Sequence, residues 1–88
     1  MQFMVIETLP DPRAVYARFA EKGRMMPEGV HYVGSWVDAT GKRCFQLMEC
    51  DDLSLLMDWI AAWSDLATFE VIPVVPSTTA ARIWGPTS

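Results

Sequence analysis

Hydrophobic residues in this chain recur with two spacings, one typical of strands and one typical of helices. Short runs rich in β-branched and aromatic residues, bounded by turn residues, predict strands over residues 3–8, 30–37, 43–50 and 69–75. Two segments with an apolar face and a polar residue before them predict helices over residues 12–22 and 53–64. The predicted order of elements is therefore β-α-β-β-α-β.

Residues typical of helix ends flank the first predicted helix. Asp11 followed by Pro12 is typical of an N-cap and a first helical residue, and Gly23 is typical of a left-handed C-cap. The apolar face expected between these ends contains Val15, Tyr16 and Phe19.

The second predicted helix has a clearer apolar stripe. Asp51 or Asp52 is its expected N-cap, and Trp59 lies one position away from the stripe. The stripe consists of Leu53, Leu56, Met57, Ile60 and Trp63. After the last strand, Ser77 is expected to cap a short helical turn in a tail over residues 76–88.

This order of elements matches the split β-α-β plan of ferredoxin-like folds. It predicts an α+β fold in a single domain over residues 1–88, with a four-stranded antiparallel sheet and two helices on one face. Pro73 cannot donate a hydrogen bond to a neighbouring strand, which suggests that the last strand lies at an edge or is irregular there. The opposite sheet face then has no cover within one copy of the chain.

The two middle strands form a predicted hairpin with its turn at Asp38–Gly41. If Val37 opposes Lys42, one sheet face contains Val37 and a mixed set, namely His31, Val33, Ser35, Cys44, Gln46 and Met48. The other face contains an aromatic set, namely Tyr32, Gly34, Trp36, Arg43, Phe45 and Leu47. We expect the aromatic set to pack beneath the helices and the mixed set to stay open, and a register slip of one residue would exchange the partners.

The composition indicates that the open sheet face packs against another surface. Of the 88 residues, 51 % are hydrophobic and only 20 % are charged, which excludes an intrinsically disordered chain. One small core does not need this much apolar surface, and a face of Val, Met, Cys, Gln and Ser is too apolar to remain in water. We therefore expect a homodimer in which the open sheet faces of two copies pack together.

Charge and motifs exclude several partners. The formal net charge is −4, whereas binding of nucleic acid relies on clustered Lys and Arg. RNA-recognition modules share this order of elements, but their third strand needs glycines that Arg43–Leu47 lacks. A single histidine and the absence of a C-x-x-C pair predict no metal site, and no cofactor is expected.

Cysteine positions and hydropathy indicate a compartment. Cys44 and Cys50 lie about 20 Å apart if they share one strand, which is too far for a disulfide. The first apolar run, residues 3–6, is shorter than the core of an export signal, and no run reaches the roughly 18 apolar residues of a membrane span. We expect a reduced, cytoplasmic protein with no membrane partner.

Five segments together resemble a known family, and they are Phe3–Glu7, Gly23–Gly29, Ser35–Trp36, Arg43–Glu49 and Phe69–Val75. The chain resembles a family of short, uncharacterised bacterial proteins, a domain of unknown function related to the dimeric α/β-barrel group. The resemblance covers residues 3–81 and implies a ferredoxin-like fold that dimerises through its sheets. It implies no activity, because the family brings no catalytic residues with it.

A few side chains have chemistry suited to a site. His31, the only histidine, is the simplest general base near neutral pH, and Glu49 is a second weak catalytic candidate. The candidate ligand-binding residues are His31, Trp36 and Gln46, because an aromatic ring lines pockets and a buried amide needs partners. Each has a commoner structural explanation, such as a strand-end position at the surface or a hydrogen bond between strands.

Carboxylates and one thiol are further candidates. A buried carboxylate would have a raised pKa and could act as an acid or base, and the glutamates beside apolar strand residues are Glu7, Glu49 and Glu70. Cys44 could form a polar patch with Ser35 and Gln46, but only His31 or Arg43 could activate it. We expect an inert thiol and carboxylates paired with arginine.

Functions from different classes fit these observations. The first is a dimer that binds a small organic molecule in a cleft between sheet and helices or inside the barrel, with tryptophans and six methionines as adaptable walls. The second is a homodimeric structural or regulatory module without ligand chemistry. A cofactor-independent monooxygenase-like enzyme is a third, supported only by fold and aromatic content. An enclosed pocket that holds His31, Gln46 or a carboxylate together favours the first, and a dimer interior filled by side chains favours the second.

Overall fold

The computed structural model describes residues 1–86. Its strands are β1 (Gln2–Thr8), β2 (His31–Val37), β3 (Arg43–Glu49) and β4 (Thr68–Val74), and its helices are α1 (Pro12–Lys22), α2 (Leu53–Trp63) and α3 (Ser77–Trp84). The strands form one antiparallel sheet in the order β2-β3-β1-β4. The predicted α+β class, the four-stranded sheet and the edge position of the last strand are thus confirmed. Residues 87 and 88, the end of the predicted tail, lie outside the described residues.

The helix boundaries follow from local signals. Asp11 and Asp52 each accept a hydrogen bond from a backbone N–H in the first turn of their helix, at 3.4 and 2.9 Å. Gly23 ends α1 with a φ of +67°, a conformation that side chains disfavour. Ser77 is the first residue of α3 and not its cap, because Pro76 occupies the cap position without a side-chain hydrogen bond. No helix within residues 1–86 is long and apolar enough to cross a membrane.

The hairpin register differs from the predicted one by two residues. Val37 pairs with Cys44 and not with Lys42. The side chain of Asp38 accepts hydrogen bonds from the Thr40 hydroxyl at 2.9 Å and from the backbone N–H of residue 43 at 3.3 Å. Because of these bonds, Lys42 belongs to the turn and not to the strand, so the turn is longer than the four residues expected.

The predicted assignment of the two sheet faces is wrong. The helices cover most of the mixed set, in which Cys44, Gln46 and Met48 are buried, while most of the aromatic set faces outward and Trp36 is 60 % exposed. A bulge exchanges the two residues before it, so Tyr32 lies opposite Met48 on the covered face and His31 lies on the outward face. Both sets are largely apolar, so alternation along the hairpin did not distinguish them. The helix α2 supplies two indole rings to the interior, and the sheet beneath them needs smaller side chains to reach close packing.

The apolar stripe of α2 is rotated relative to the prediction. Leu56, Trp59 and Trp63 are buried in the main core, whereas Leu53 is exposed and Met57 is 61 % exposed. Apolar residues occur almost all round this helix, so helical spacing alone allowed more than one buried face. Hydrogen bonds from the two indoles, described below, select the face that packs on the sheet.

Candidate functional site

A cavity of about 160 Å³ lies between the helix-covered face of the sheet and the helices α1 and α2. Most of its wall is apolar, formed by Leu9, Val15, Phe19, Val37, Trp59 and Trp63. The polar groups that reach it are Glu7, Arg24, Ser35 and Gln46. Tyr16 and Phe19 line the cavity and are also exposed, so they mark the side on which it opens to solvent.

A buried polar pair forms the sheet side of the cavity. The amide Nε2 of Gln46 on β3 donates a hydrogen bond of 2.7 Å to Oε2 of Glu7 on β1. Both residues are almost fully covered, at 8 % and 7 % exposure. Burial raises the pKa of the Glu7 carboxyl, and the hydrogen bond from Gln46, the Cys44 thiol and the charge of Arg24 offset part of this rise.

The thiol of Cys44 lies directly across the strand from Glu7. Burial and the neighbouring carboxylate raise the pKa of Cys44 to about 12. The thiol therefore stays protonated at neutral pH and is not a nucleophile, in agreement with the expectation of an inert cysteine.

Arg24 is held at the cavity by two tryptophans. Its backbone carbonyl accepts hydrogen bonds from the indole N–H groups of Trp59 and Trp63, both at 2.9 Å. Its guanidinium lies 3.7 Å from the ring centroid of Tyr32 and 5.0 Å from that of Phe19. Within residues 1–86, no carboxylate lies within salt-bridge distance of Arg24.

The loop that contains Arg24 has an unusual backbone. The next residue, Met25, has a φ of +57°, which is uncommon for a residue with a side chain. Beyond the loop, the hydroxyls of Tyr32 and Ser35 form a hydrogen bond of 2.6 Å. This bond links the ring that lies under Arg24 to a polar group of the cavity.

Of the predicted catalytic and ligand-binding residues, the structure places only Gln46 in this cavity, beside the further candidates Glu7, Ser35 and Cys44. A bulge at Val33 leaves His31 opposite Glu49, and both are exposed at one end of the hairpin. They line a separate pocket of about 250 Å³, and a catalytic role for them stays a prediction. Trp36 lies on the outward face of the sheet, away from the cavity.

Glu7 and Arg24 are the two charged groups of the cavity, and only Glu7 was a candidate from the sequence, as a carboxylate beside apolar strand residues. Glu7 had a recognisable signal, because it continues the alternation of Phe3 and Val5 and so points to the same face. Arg24 had no recognisable signal in the sequence, because its position depends on two indoles about 35 and 39 residues further along the chain.

Comparison with known proteins places the chain in a family. All of residues 1–88 match the model described as Domain of unknown function (DUF3303). The chain belongs to this family. No curated protein and no solved structure matches the chain. Membership of a family of unknown function is thus confirmed, and its relation to the dimeric α/β-barrel group stays a prediction.

Proposed function

We propose that this protein binds a small organic molecule in the cavity between the sheet and its helices. The Glu7–Gln46 pair is the observation that supports this most strongly. A buried carboxylate is costly, and replacing buried charged groups with well-packed apolar side chains is often neutral or stabilising. A core that served stability alone would have no need for this pair beside a cavity, whereas binding sites commonly contain such groups.

The volume of the cavity limits the ligand. An engineered protein cavity of about 150 Å³ binds benzene. The cavity of about 160 Å³ in this chain is therefore suited to a molecule built on a single six-membered ring.

A homodimer is the second part of the proposal. The outward sheet face contains Met4, Ile6, Trp36, Phe45, Leu47 and Ile72. Four strands of seven residues have a plan area of about 440 Å². Two such faces would bury about 900 Å² in total, before the additional surface of the side chains is counted. The smallest stable interfaces bury roughly 1,200 Å². Two copies packed in this way would form the α/β barrel implied by the resemblance.

This outward face also supports the alternative of a structural or regulatory module that acts through association alone. The free, buried Cys44 and Cys50 are compatible with a reducing compartment such as the cytoplasm. The two functions differ in whether the cavity is occupied in the cell.

Native mass spectrometry of protein purified from the cells that produce it tests both parts. We expect the mass of a dimer together with a retained molecule. Val15→Phe places a ring in the cavity and should remove the retained molecule but leave the dimer intact. Ala17→Phe adds the same ring at an exposed position of α1 and should change neither. A monomer contradicts the proposed dimer, and a ligand retained equally by both variants contradicts the proposed cavity.

A further inference from the structure

We propose that the ligand is a monocyclic aromatic acid with a hydroxyl or amino group, its acid group bound by Arg24 and its donor group by Glu7 and Gln46. This inference rests on the ligand binding proposed above. It specifies the chemical class that the cavity selects.

The cavity has a size that suits a single ring. Its volume of about 160 Å³ is close to the roughly 150 Å³ of an engineered protein cavity that binds benzene. One substituted six-membered ring fits a cavity of this size. The indoles of Trp59 and Trp63 and the ring of Phe19 contribute to the wall, and aromatic rings pack well against a flat ring.

The side chain of Arg24 provides a cation at the cavity. No carboxylate within residues 1–86 forms a salt bridge with it, although its loop is anchored by two hydrogen bonds to the carbonyl. The guanidinium carbon lies 3.7 Å from the ring centroid of Tyr32, and a guanidinium carries five N–H donors in a planar fork. Such a group binds a carboxylate through two parallel hydrogen bonds.

The sheet side of the cavity has more acceptors than donors. Gln46 donates to Oε2 of Glu7, and no N–H or O–H group of the described residues donates to Oε1 of Glu7 or to the amide oxygen of Gln46. The other group that bonds the Glu7 carboxyl is the thiol of Cys44, which is a weak donor. Neither oxygen is fully buried, because every fully buried polar side-chain atom in that part of the chain has a partner. A ligand therefore needs a donor at this end. The negative charge of Glu7 repels an acid group and so orients the ligand.

Calorimetric titration with a small set of ring compounds tests the proposal. The compounds are phenol, benzoate, and the 2-, 3- and 4-hydroxybenzoates. We expect at least one hydroxybenzoate to bind at least ten times more tightly than benzoate and phenol, because only it uses both ends of the cavity. The preferred isomer reports the separation of the two ends.

Two variants assign the ends, and one is a control. Arg24→Gln should weaken hydroxybenzoate binding at least tenfold and leave phenol binding within twofold. Glu7→Gln should reduce the preference for hydroxybenzoate over benzoate at least threefold, because the donor loses a charged acceptor and the acid loses a repulsive neighbour. Arg13→Gln removes an exposed cation of α1 that does not line the cavity, and should change nothing.

Each remaining outcome is decisive. If phenol binds but no acid binds more tightly, or if Arg24→Gln weakens phenol and hydroxybenzoate equally, the ligand class is wrong and the binding function stands. If none of the ring compounds binds at millimolar concentration and the native protein retains no molecule, the proposed function itself is wrong.

Discussion

The carboxyl of Glu7 lies among apolar groups, with the amide of Gln46 as its main partner. Its raised pKa means that the folded chain holds this proton at pH values where the unfolded chain has already released it. The contribution of Glu7 to stability is then greatest below the unfolded pKa near 4.5, and it is lost as the pH rises through the higher folded pKa. Each pKa unit of difference contributes about 1.4 kcal/mol.

Glu7→Gln removes this titration and keeps an acceptor for the Gln46 amide. We expect the variant to match the parent protein near pH 4 and to become progressively more stable than it as the pH rises above the unfolded pKa near 4.5. Urea unfolding at several pH values measures the difference. Glu70→Gln, at an exposed position of β4, is the control and should show no such trend. A Glu7→Gln difference that does not vary with pH would contradict the prediction.

At the scale of elements, α2 and the loop after α1 depend on each other. The carbonyl of Arg24 has two lone pairs, and the indoles of Trp59 and Trp63 use both. Removing one indole leaves the carbonyl with a partner, whereas removing both leaves it without one. The loop holds Arg24 at the cavity only while this arrangement persists.

A double-mutant cycle measures this dependence. Trp59→Phe and Trp63→Phe should each lower the free energy of unfolding by about 1–2 kcal/mol, through a lost hydrogen bond and lost packing. The double variant should lose about 1 kcal/mol more than the sum, because the carbonyl is then unsatisfied. Trp84→Phe, on a side chain that is 86 % exposed, is the control. Additive losses would show that the two bonds are independent.

Alanine substitutions at two loop glycines distinguish backbone strain from a steric clash. Gly29 and Gly41 both have positive φ, at +95° and +76°, so alanine is strained at either position. An added Cβ at Gly29 would also lie 2.9 Å from Cδ1 of Leu55, whereas at Gly41 the nearest atom, on Pro12, is 4.0 Å away. We expect Gly29→Ala to lower stability by about 1 kcal/mol more than Gly41→Ala in thermal or urea unfolding. Equal losses would contradict the contact with Leu55.

At the scale of the whole molecule, the chain is more extended than its length requires. Its radius of gyration is 14.9 Å, compared with about 12 Å for a compact domain of this size. The helix α3 buries no residue, and Ile83 and Trp84 are exposed on it. Together with the outward face of the sheet, this gives one copy two apolar surfaces without a cover.

The proposed dimer yields a prediction at this scale. Trp36→Asp introduces a charge on the outward sheet face and should convert the dimer to a species of 9.9 kDa in gel filtration with light scattering. Met57→Asp places the same charge on the outer surface of α2 and should leave the dimer intact. Dissociation of both variants, or of neither, would contradict an interface on the sheet face.

Much of the fold was predictable because its signals act over a few residues. The predicted ends of the four strands and of α1 and α2 lie within one residue of those observed, since Pro12, Gly23 and the cap at Asp52 act locally. The candidate site was predictable only in part. Gln46 was expected to be buried and Glu7 was a candidate carboxylate, but the cavity depends on groups that are distant in sequence, so local patterns did not show that these two residues meet Arg24 at one site.

The sequence by itself determined the order of elements, the antiparallel sheet and the edge position of β4, because spacing, caps and proline restrict the backbone where they occur. Only the tertiary structure decided which sheet face the helices cover and which side of α2 is buried. Both faces are apolar enough for either role, so local patterns do not separate them. The choice depends on how two indoles share one carbonyl and fill one interior, and this same packing leaves the cavity beside Glu7 and Gln46.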